Sequence, residues 1–286
     1  MANRARAVPE NMPGEFFVDT TCIDCDTCRQ LAPQVFGAVG DYSYVRQQPV
    51  DAAAHRQALH ALVSCPTASI GAGADKTQLA AAIGDFPLLL EAPVSYCGFT
   101  SEDSFGGSSY FLTHPEGNWL IDAPRFTSHL VKKFEAAGGI AHIFLTHQDD
   151  VADADKYAQH FGARRIIHQL ELAAQPDAEV ALEGSEVQAL REGFVAIPTP
   201  GHTRGHMVLL VDDRFLFTGD HLWWDRDEQR LGASRSHCWY SWTQQIESMR
   251  RLLDYRFAWV LPGHGDRVQL PADAMHLQIA ELIARM

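Results

Sequence analysis

Short apolar runs recur along the second half of the chain, separated by polar stretches with helical spacing. IAHIFLT, RRIIH, FVAIPTP, HMVLLVDD, RFLFTGD and WVLPG are too short and too apolar for amphipathic helices and read as strands. HLVKKFEAAGG, DADKYAQHFGA, SWTQQIESMRRLLDY and ADAMHLQIAELIARM show the helical period, and the first ends in glycines that suit a C-cap. YFLTHPEGNWLIDAP predicts a hairpin, two apolar runs about the turn-forming Pro-Glu-Gly-Asn. DKTQLAAAIGDFPLLLEAP predicts a short helix and then an apolar connection, and the chain divides there, near residues 76–92. Strands alternate with helices, but the hairpins imply a mixed sheet. No internal repeat or low-complexity tract stands out.

Composition changes this picture little. The 286 residues exceed one typical domain and fall short of three. The formal net charge of −13 gives no electrostatic footprint for nucleic acid or an anionic membrane, although Arg226, Arg230 and Arg235 leave room for a local basic patch. The N-terminus carries two early arginines with no apolar run behind them, unlike a secretory signal. No run of about 18 apolar residues exists to span a membrane. The expected location is cytoplasmic.

The six cysteines matter more. Cys22, Cys25 and Cys28 are spaced by two residues, and a fourth thiol follows in Cys65-Pro66. Thiolates so close together on a tight loop can point at one small inorganic core, and a remote fourth completes the cage. Iron–sulfur clusters use this run of three close cysteines plus a distant Cys-Pro. Zinc more often shows two Cys-x-x-Cys pairs or added histidines. The expected cofactor is [4Fe–4S], with [3Fe–4S] as the lesser form, and a cluster that only staples the domain is the lesser reading. Cys97 and Cys238 have no spacing partner and read as small buried residues. Residues 15–75, with FVDTTCIDCDTCRQLAPQVF and ALVSCPTASI, resemble small bacterial single-cluster ferredoxins. The 36 residues between Cys28 and Cys65 suit one cluster, and the second motif of two-cluster ferredoxins is missing.

Four further motifs each follow a predicted strand: THQDDVADA with His147, PTPGHTRGH with His202, FTGDH with Asp220, and LPGHGD with His264. Loops at a sheet edge let a rigid scaffold aim such side chains at one point. In an extended segment residues i and i+2 face the same way, so His147 and Asp149 can grip one ion. The order of the four motifs over residues 93–270 resembles the metallo-β-lactamase superfamily. The resemblance implies an α+β chain with a ferredoxin-like domain at 1–80 and an αββα sandwich at 81–286. It also implies one or two divalent ions (zinc, iron or manganese) held by His147, Asp149, Asp153, His202, Asp220 and His264. Asp220 would bridge the ions, and Asp153 or Asp220 would orient the attacking water.

The first motif departs from the superfamily's His-x-His-x-Asp-His. Asp149 replaces the second histidine. The Asp of the Asp-His pair falls on Val151, unless a two-residue insertion makes Asp153 its counterpart. The last histidine then falls on Ala154, so the second metal site loses at least one ligand. More carboxylate and less imidazole tilts a site towards harder ions. The flavodiiron proteins of this superfamily also put a carboxylate at the second position and hold iron, although no flavodoxin-like region is present here. Asp149, Asp150 and Asp153 also lie where a helix begins and are candidate N-caps. His206 reads as a packing or supporting residue, His221 as a spare ligand, and His142, His160 and His168 as ordinary strand or helix histidines.

After Asp220 comes an aromatic stretch with Trp223, Trp224, Trp239, Tyr240 and Trp242. It reads as a core layer under a long loop, or as a wall of a substrate pocket in which Arg226 or Arg235 meets a carboxylate or phosphate. The leading expectation is a metal-dependent hydrolase of a small-molecule ester, thioester or phosphoester with a fused electron-transfer domain. The alternatives are an oxidoreductase in which the cluster feeds a mono- or di-iron centre, and a non-catalytic electron-transfer or sensor protein. The cluster leaves room for a redox partner protein.

Overall fold

The computed structural model describes residues 2–73 and 75–286. Its chain divides into two compact units, residues 1–118 with 124–139, and residues 119–123 with 140–286. Residues 81–118 thus pack with the cysteine-bearing segment.

In the first unit β1 (Phe17–Val18) pairs antiparallel with β4 (Ile70–Gly71), Val18 opposite Ile70, which brings the Cys22 loop beside the Cys65 segment. Between them lie α1 (Thr27–Leu31), the hairpin β2 (Phe36–Val39) with β3 (Tyr42–Val45), and α2 (Ala52–Ser64). Helix α2 starts at Asp51, whose carboxylate accepts from Ala54 N at 2.8 Å, and buries Ala54, Ala58, Leu59 and Ala61 along one face. It stops at Cys65 because Pro66 disfavours helical backbone in the residue before it. Helix α3 (Lys76–Asp85) is capped by Asp75. The FPLLLEAPVSY segment, expected as an apolar connection, instead forms a hairpin of β5 (Leu88–Glu91) and β6 (Val94–Tyr96), followed by β7 (Tyr110–Leu112). Its alternation was hidden by one exposed position, Leu89, within the apolar run. Helix α4 (Ser128–Ala136) completes the unit and ends, as expected, at left-handed glycines.

The second unit holds two sheets. Strands β8 (Trp119–Ile121), β9 (His142–Phe144), β10 (Arg164–His168) and β11 (Val180–Leu182) are parallel neighbours, with α5 (Ala154–Phe161) leading into β10. The other sheet runs β12 (Gln188–Arg191), β13 (Phe194–Pro198), β14 (Met207–Val211), β15 (Phe215–Gly219), β18 (Trp259–Pro262) and β19 (Val268–Gln269). A hairpin of β16 (Trp223–Asp225) and β17 (Arg230–Gly232) interrupts it.

Strands β14 and β15 are buried along their whole length, which explains their unbroken apolar runs. One face, with Val208, Leu210 and Leu216, packs on Met249 of α6 (Trp242–Arg251) and Ile279 of α7 (Ala272–Arg285). On the other face Phe194 stacks on Trp119 at 4.6 Å, joining the two sheets. The expected mixed, layered architecture is what forms.

This packing decides where the chemistry falls. Strand β15 runs parallel to β18, and Gly263 N donates to Gly219 O at 2.8 Å. Asp220 and His264, each just past its strand, therefore emerge side by side. β8 and β9 are likewise parallel, so Asp122 and His147 leave the other sheet together.

Candidate metal centres

The cysteine loop is shaped by two left-handed residues, Asp24 (φ 58°) and Asp26 (φ 66°), a conformation aspartate tolerates better than most. Arg29 ties it down, with Nη1 2.6 Å from Asp24 Oδ1 and Nε 2.5 Å from Asp26 Oδ1. The four thiols of Cys22, Cys25, Cys28 and Cys65 line one enclosed cavity with Val18, Ile23 and Ile70. Backbone donors already face two sulfurs: Ser43 N–H points at Cys22 Sγ and Ser69 N–H at Cys65 Sγ, each at 3.3 Å. Gly106 (φ 85°) closes over a third, since a Cβ there would stand 2.6 Å from Cys25 Cβ. Burial pushes the Cys25 thiol up to about 11 and the Cys28 thiol higher still. Cys25 and Cys28 are therefore poor thiolates by themselves, and a positive metal core would make them so. Four sulfurs around one cavity, met by N–H donors, fit a [4Fe–4S] cluster.

The second group gathers the ends of four strands. Asp220 Oδ2 is its centre, 3.8 Å from His147 Nε2, 3.5 Å from His202 Nε2 and 3.9 Å from His264 Nε2. Asp149 Oδ2 closes one side, 3.3 Å from His202 Nε2 and 3.8 Å from His147 Nε2. Ligand bonds of about 2.0–2.1 Å in a tetrahedron place neighbouring donor atoms roughly 3.3–3.4 Å apart. These separations are therefore those of a shell drawn around an ion, slightly relaxed. The buried atoms His147 Nε2, Asp220 Oδ1 and both oxygens of Asp150 make no hydrogen bond. Polar atoms buried this way are costly unless something coordinates them. The residues fit one or two divalent ions.

Supporting contacts fix the ligands. Asp122 accepts from Thr146 N (2.8 Å) and Thr146 Oγ1 (3.0 Å), and Thr146 Oγ1 lies 3.0 Å from His147 Nδ1. With the hydroxyl proton given to Asp122, Thr146 accepts from Nδ1–H and leaves the His147 Nε2 lone pair facing the group. Gly219 (φ 45°) makes room for this, because a Cβ would meet Thr146 Oγ1 at 2.5 Å. His206 Nε2 accepts from Asp220 N (3.2 Å) while its Nδ1 meets Thr199 Oγ1 (2.9 Å), so it supports Asp220 as expected of it. The buried Glu171 accepts from Gln148 N (3.2 Å) and from Gly205 N, clipping the His147 loop to the His202 loop.

The electrostatics agree with a cation site. His202 holds the Asp149 carboxyl below its usual range. Burial opposes the His202 imidazolium, but Asp149 and Asp220 outweigh it and raise its pKa. Burial, and then Asp150, pushes Asp122 well up. Burial drives His221 down to about 3, so it is neutral and buried.

Five of the six expected metal residues come together; Asp153 does not. Its carboxylate stands 2.5 Å from Lys156 Nζ, at the start of α5. Asp150, read from the sequence as a candidate N-cap, is instead the carboxylate beside His264, with Oδ1 3.7 Å from Nε2. The reason is local: residues Gln148–Asp150 form a 3-10 turn rather than the extended segment expected. Asp122, Thr146 and Glu171 were not foreseen. Asp122 carries the same signal as the others, a polar residue ending an apolar strand, whereas Glu171 carries none. Among the other histidines, the His142 ring lies tilted against Trp119 with centroids 4.4 Å apart and His168 Nε2 meets Gly184 O at 2.9 Å, both structural. The aromatic stretch is divided. Trp223 packs over Gly265, while Trp239 (63% exposed) and Tyr240 are exposed, with the Trp239 ring 6.1 Å from that of His202. Arg226 is committed to Asp266, Nη2 to Oδ1 at 2.8 Å.

Comparison with known proteins agrees with both centres. Residues 103–264 match the metallo-beta-lactamase superfamily and residues 18–72 match the 4Fe-4S single cluster domain of Ferredoxin I. The chain belongs to the metallo-beta-lactamase superfamily, a metallo-hydrolase-type family, and carries a single-cluster ferredoxin domain ahead of it. Hydroxyacylglutathione hydrolase of Acidiphilium cryptum (strain JF-5) is 32% identical over 118 residues, 40% of this chain and 48% of that protein. The Salmonella typhi protein of the same name is 31% identical over 116 residues, 40% and 46%. The chain spans about half the length of the curated relatives it matches. Among solved structures, the DIM-1 metallo-beta-lactamase covers 69% of this chain and 95% of its own at 16% identity and a TM-score of 0.52, which shows the shared fold. No described helix is long and apolar enough to cross a membrane.

Proposed function

We propose that the protein is a metal-dependent hydrolase of a small acyl ester, with a thioester the favoured substrate, and that its cluster domain carries electrons or stabilises the chain. The observation that carries this reading is the shell of His147, Asp149, His202 and Asp220 at donor separations suited to one ion. The thioester preference is supported by relatives whose name specifies an acylated glutathione. A bound divalent ion supplies a Lewis acid and makes water a nucleophile at neutral pH. The protein's own groups do the rest. Thr146 and Asp122 keep His147 in one tautomer, and His206 keeps the Asp220 backbone in place. Asp220 orients the attacking water. Asp149, half-exposed, lies on the open side, and Trp239 forms a wall along the approach to His202. Family-matched segments lie on either side of residue 80, so we keep the domain junction at 80/81. Free cysteines gathered on one cavity suit a reducing compartment, and we place the protein in the cytoplasm.

The test is hydrolysis of an S-acylglutathione, followed as free thiol released. Wild-type protein is expected to turn over. His202→Ala is expected to lose on the order of 100-fold or more in kcat/KM while its cluster absorption is unchanged. Equal turnover by the variant would sink the proposal. Asp149 in place of histidine favours a second reading, an iron-dependent oxidoreductase fed by the cluster. Zinc in the second unit of anaerobically prepared protein, with no reduction of oxygen or nitric oxide, counts against it.

A further inference from the structure

We propose that Asp19 lowers the reduction potential of the cluster held by Cys22, Cys25, Cys28 and Cys65, through a relay of three hydroxyls, Thr21, Ser69 and Thr67, that runs to the Cys65 sulfur. The inference rests on the cluster alone and is independent of the hydrolase reading of the second unit.

Asp19 is a buried carboxylate, 1% exposed, three residues before Cys22. Its Oδ2 accepts from Asn3 N (2.7 Å), with Arg6 Nη2 3.8 Å away. Its Oδ1 accepts from Thr21 N (3.0 Å) and from the Thr21 hydroxyl. Donors on both oxygens are the surroundings of an ionised carboxylate, which only accepts. The pairing of β1 with β4 continues past Val18 and Ile70, where Asp19 N donates to Ser69 O at 2.9 Å. This lays the residues before Cys22 beside those after Cys65.

The hydroxyls fill the seam between them. Thr21 Oγ1 lies 2.7 Å from Ser69 Oγ, Ser69 Oγ lies 2.6 Å from Thr67 Oγ1, and Thr67 Oγ1 lies 3.8 Å from Cys65 Sγ. Each hydroxyl has one proton to give. Thr21 gives its proton to Asp19, so it accepts from Ser69. Ser69 has then spent its own proton and accepts from Thr67. All three O–H dipoles point at the carboxylate, and Thr67 turns oxygen rather than a proton towards Cys65. Two anions therefore compete for one row of protons, the Asp19 carboxylate and the Cys65 thiolate of the loaded cage. The carboxylate, with donors on both oxygens, holds the row. Negative dipole ends aimed at a ligand sulfur disfavour an added electron, and hydrogen bonds to the sulfurs set such potentials. Cutting the row near Asp19 frees Thr67 to donate to Cys65 Sγ, beside the Ser69 N–H already there at 3.3 Å. Asp19 and Thr21 are thus positioning residues, acting on the cluster through Thr67. A purely structural Asp19, bracing the N-terminal segment through Asn3 and Arg6, needs Oδ2 but no hydroxyl row.

The experiment is a redox titration of the anaerobically prepared, cluster-loaded full chain at pH 8. Dithionite supplies one electron per [4Fe–4S] cluster, and visible absorption and electron paramagnetic resonance read the reduced fraction. Thr21→Val cuts the first link and leaves the carboxylate in place. It is expected to favour reduction by about tenfold, an upward shift of ~59 mV for a one-electron couple. Asp19→Asn removes charge and link together and should shift the potential upward at least as far. Thr21→Ser, which restores the hydroxyl, should return the wild-type value. In a Thr67→Val background the Thr21→Val shift should disappear, because the last hydroxyl is gone. Ser69→Ala cuts the row at its middle while keeping the backbone N–H on Cys65, and gives the same upward shift should Thr21→Val fail to hold a cluster. An unchanged potential in Thr21→Val or Ser69→Ala with the cluster intact would overturn the proposal. A Thr21→Val shift that persists in full without the Thr67 hydroxyl would overturn it too, since the effect would then bypass the relay. No substrate is used, so failure of the hydrolase reading leaves these outcomes untouched.

Discussion

The two centres of this chain solve the same problem, holding metal in a protein, with opposite means. The cysteine cage of the first unit is enclosed, made of four like ligands, and served by backbone N–H donors from Ser43 and Ser69. The second unit's group is mixed, with buried His147 and Asp150 on one side and half-exposed Asp149 on the other. A closed shell of identical ligands suits electron storage or structural stapling. An open one with a reachable carboxylate suits chemistry on a substrate. The difference teaches that ligand number alone does not separate the roles; access does.

Cys65→Ser should break the comparison most visibly. It removes a buried ligand from the cage, so the visible cluster absorption is expected to vanish, with most of the first unit's thermal stability. Manganese uptake by the second unit should persist, and its loss would show that the centres are not independent. Thr146→Val acts on the other side. It deletes the hydroxyl between Asp122 and His147 at constant size, leaving a buried carboxylate and an imidazole N–H short of a partner. Denaturant melts should show a loss of about 1–3 kcal/mol, and metal affinity should fall ~10–100-fold with the cluster untouched.

The smallest effect compares the units as scaffolds. Arg56 and His60 hold Asp85 of the first unit at about 2, and Arg165 holds Glu179 of the second at about 2. Both carboxyl groups are depressed in the fold. Their contribution is therefore complete above the unfolded carboxyl range and is lost as pH falls through about 2. The Asp85 and Glu179 side chains are 35% and 39% exposed, so each pair is worth under ~1 kcal/mol. Glu179→Gln should lower the melting temperature slightly at pH 7 and by less at pH 3.

Much of this was legible in the sequence because both centres are built from local spacing and strand ends. Cys22, Cys25, Cys28 and Cys65-Pro66 announce the cage by spacing alone. His202, Asp220 and His264 announce themselves by following apolar runs. The choice between Asp150 and Asp153 was not legible, because it depends on whether the backbone after His147 extends or coils, and one 3-10 turn decides it. Glu171 was invisible for a related reason: it acts across 34 residues on a backbone N–H of Gly205, and no spacing rule reaches that far. The hairpin at residues 88–96 escaped because Leu89, though exposed, extends the apolar run and hides the alternation.

One chain thus carries an iron–sulfur cage and a separate mixed-ligand metal site. Iron, acid-labile sulfide, zinc and manganese counted per chain on anaerobically purified protein test it most directly. Four sulfides and four cluster irons are expected, with further divalent metal beyond those four irons. Protein without labile sulfide, or with sulfide-matched iron and no further divalent metal after loading, would contradict it.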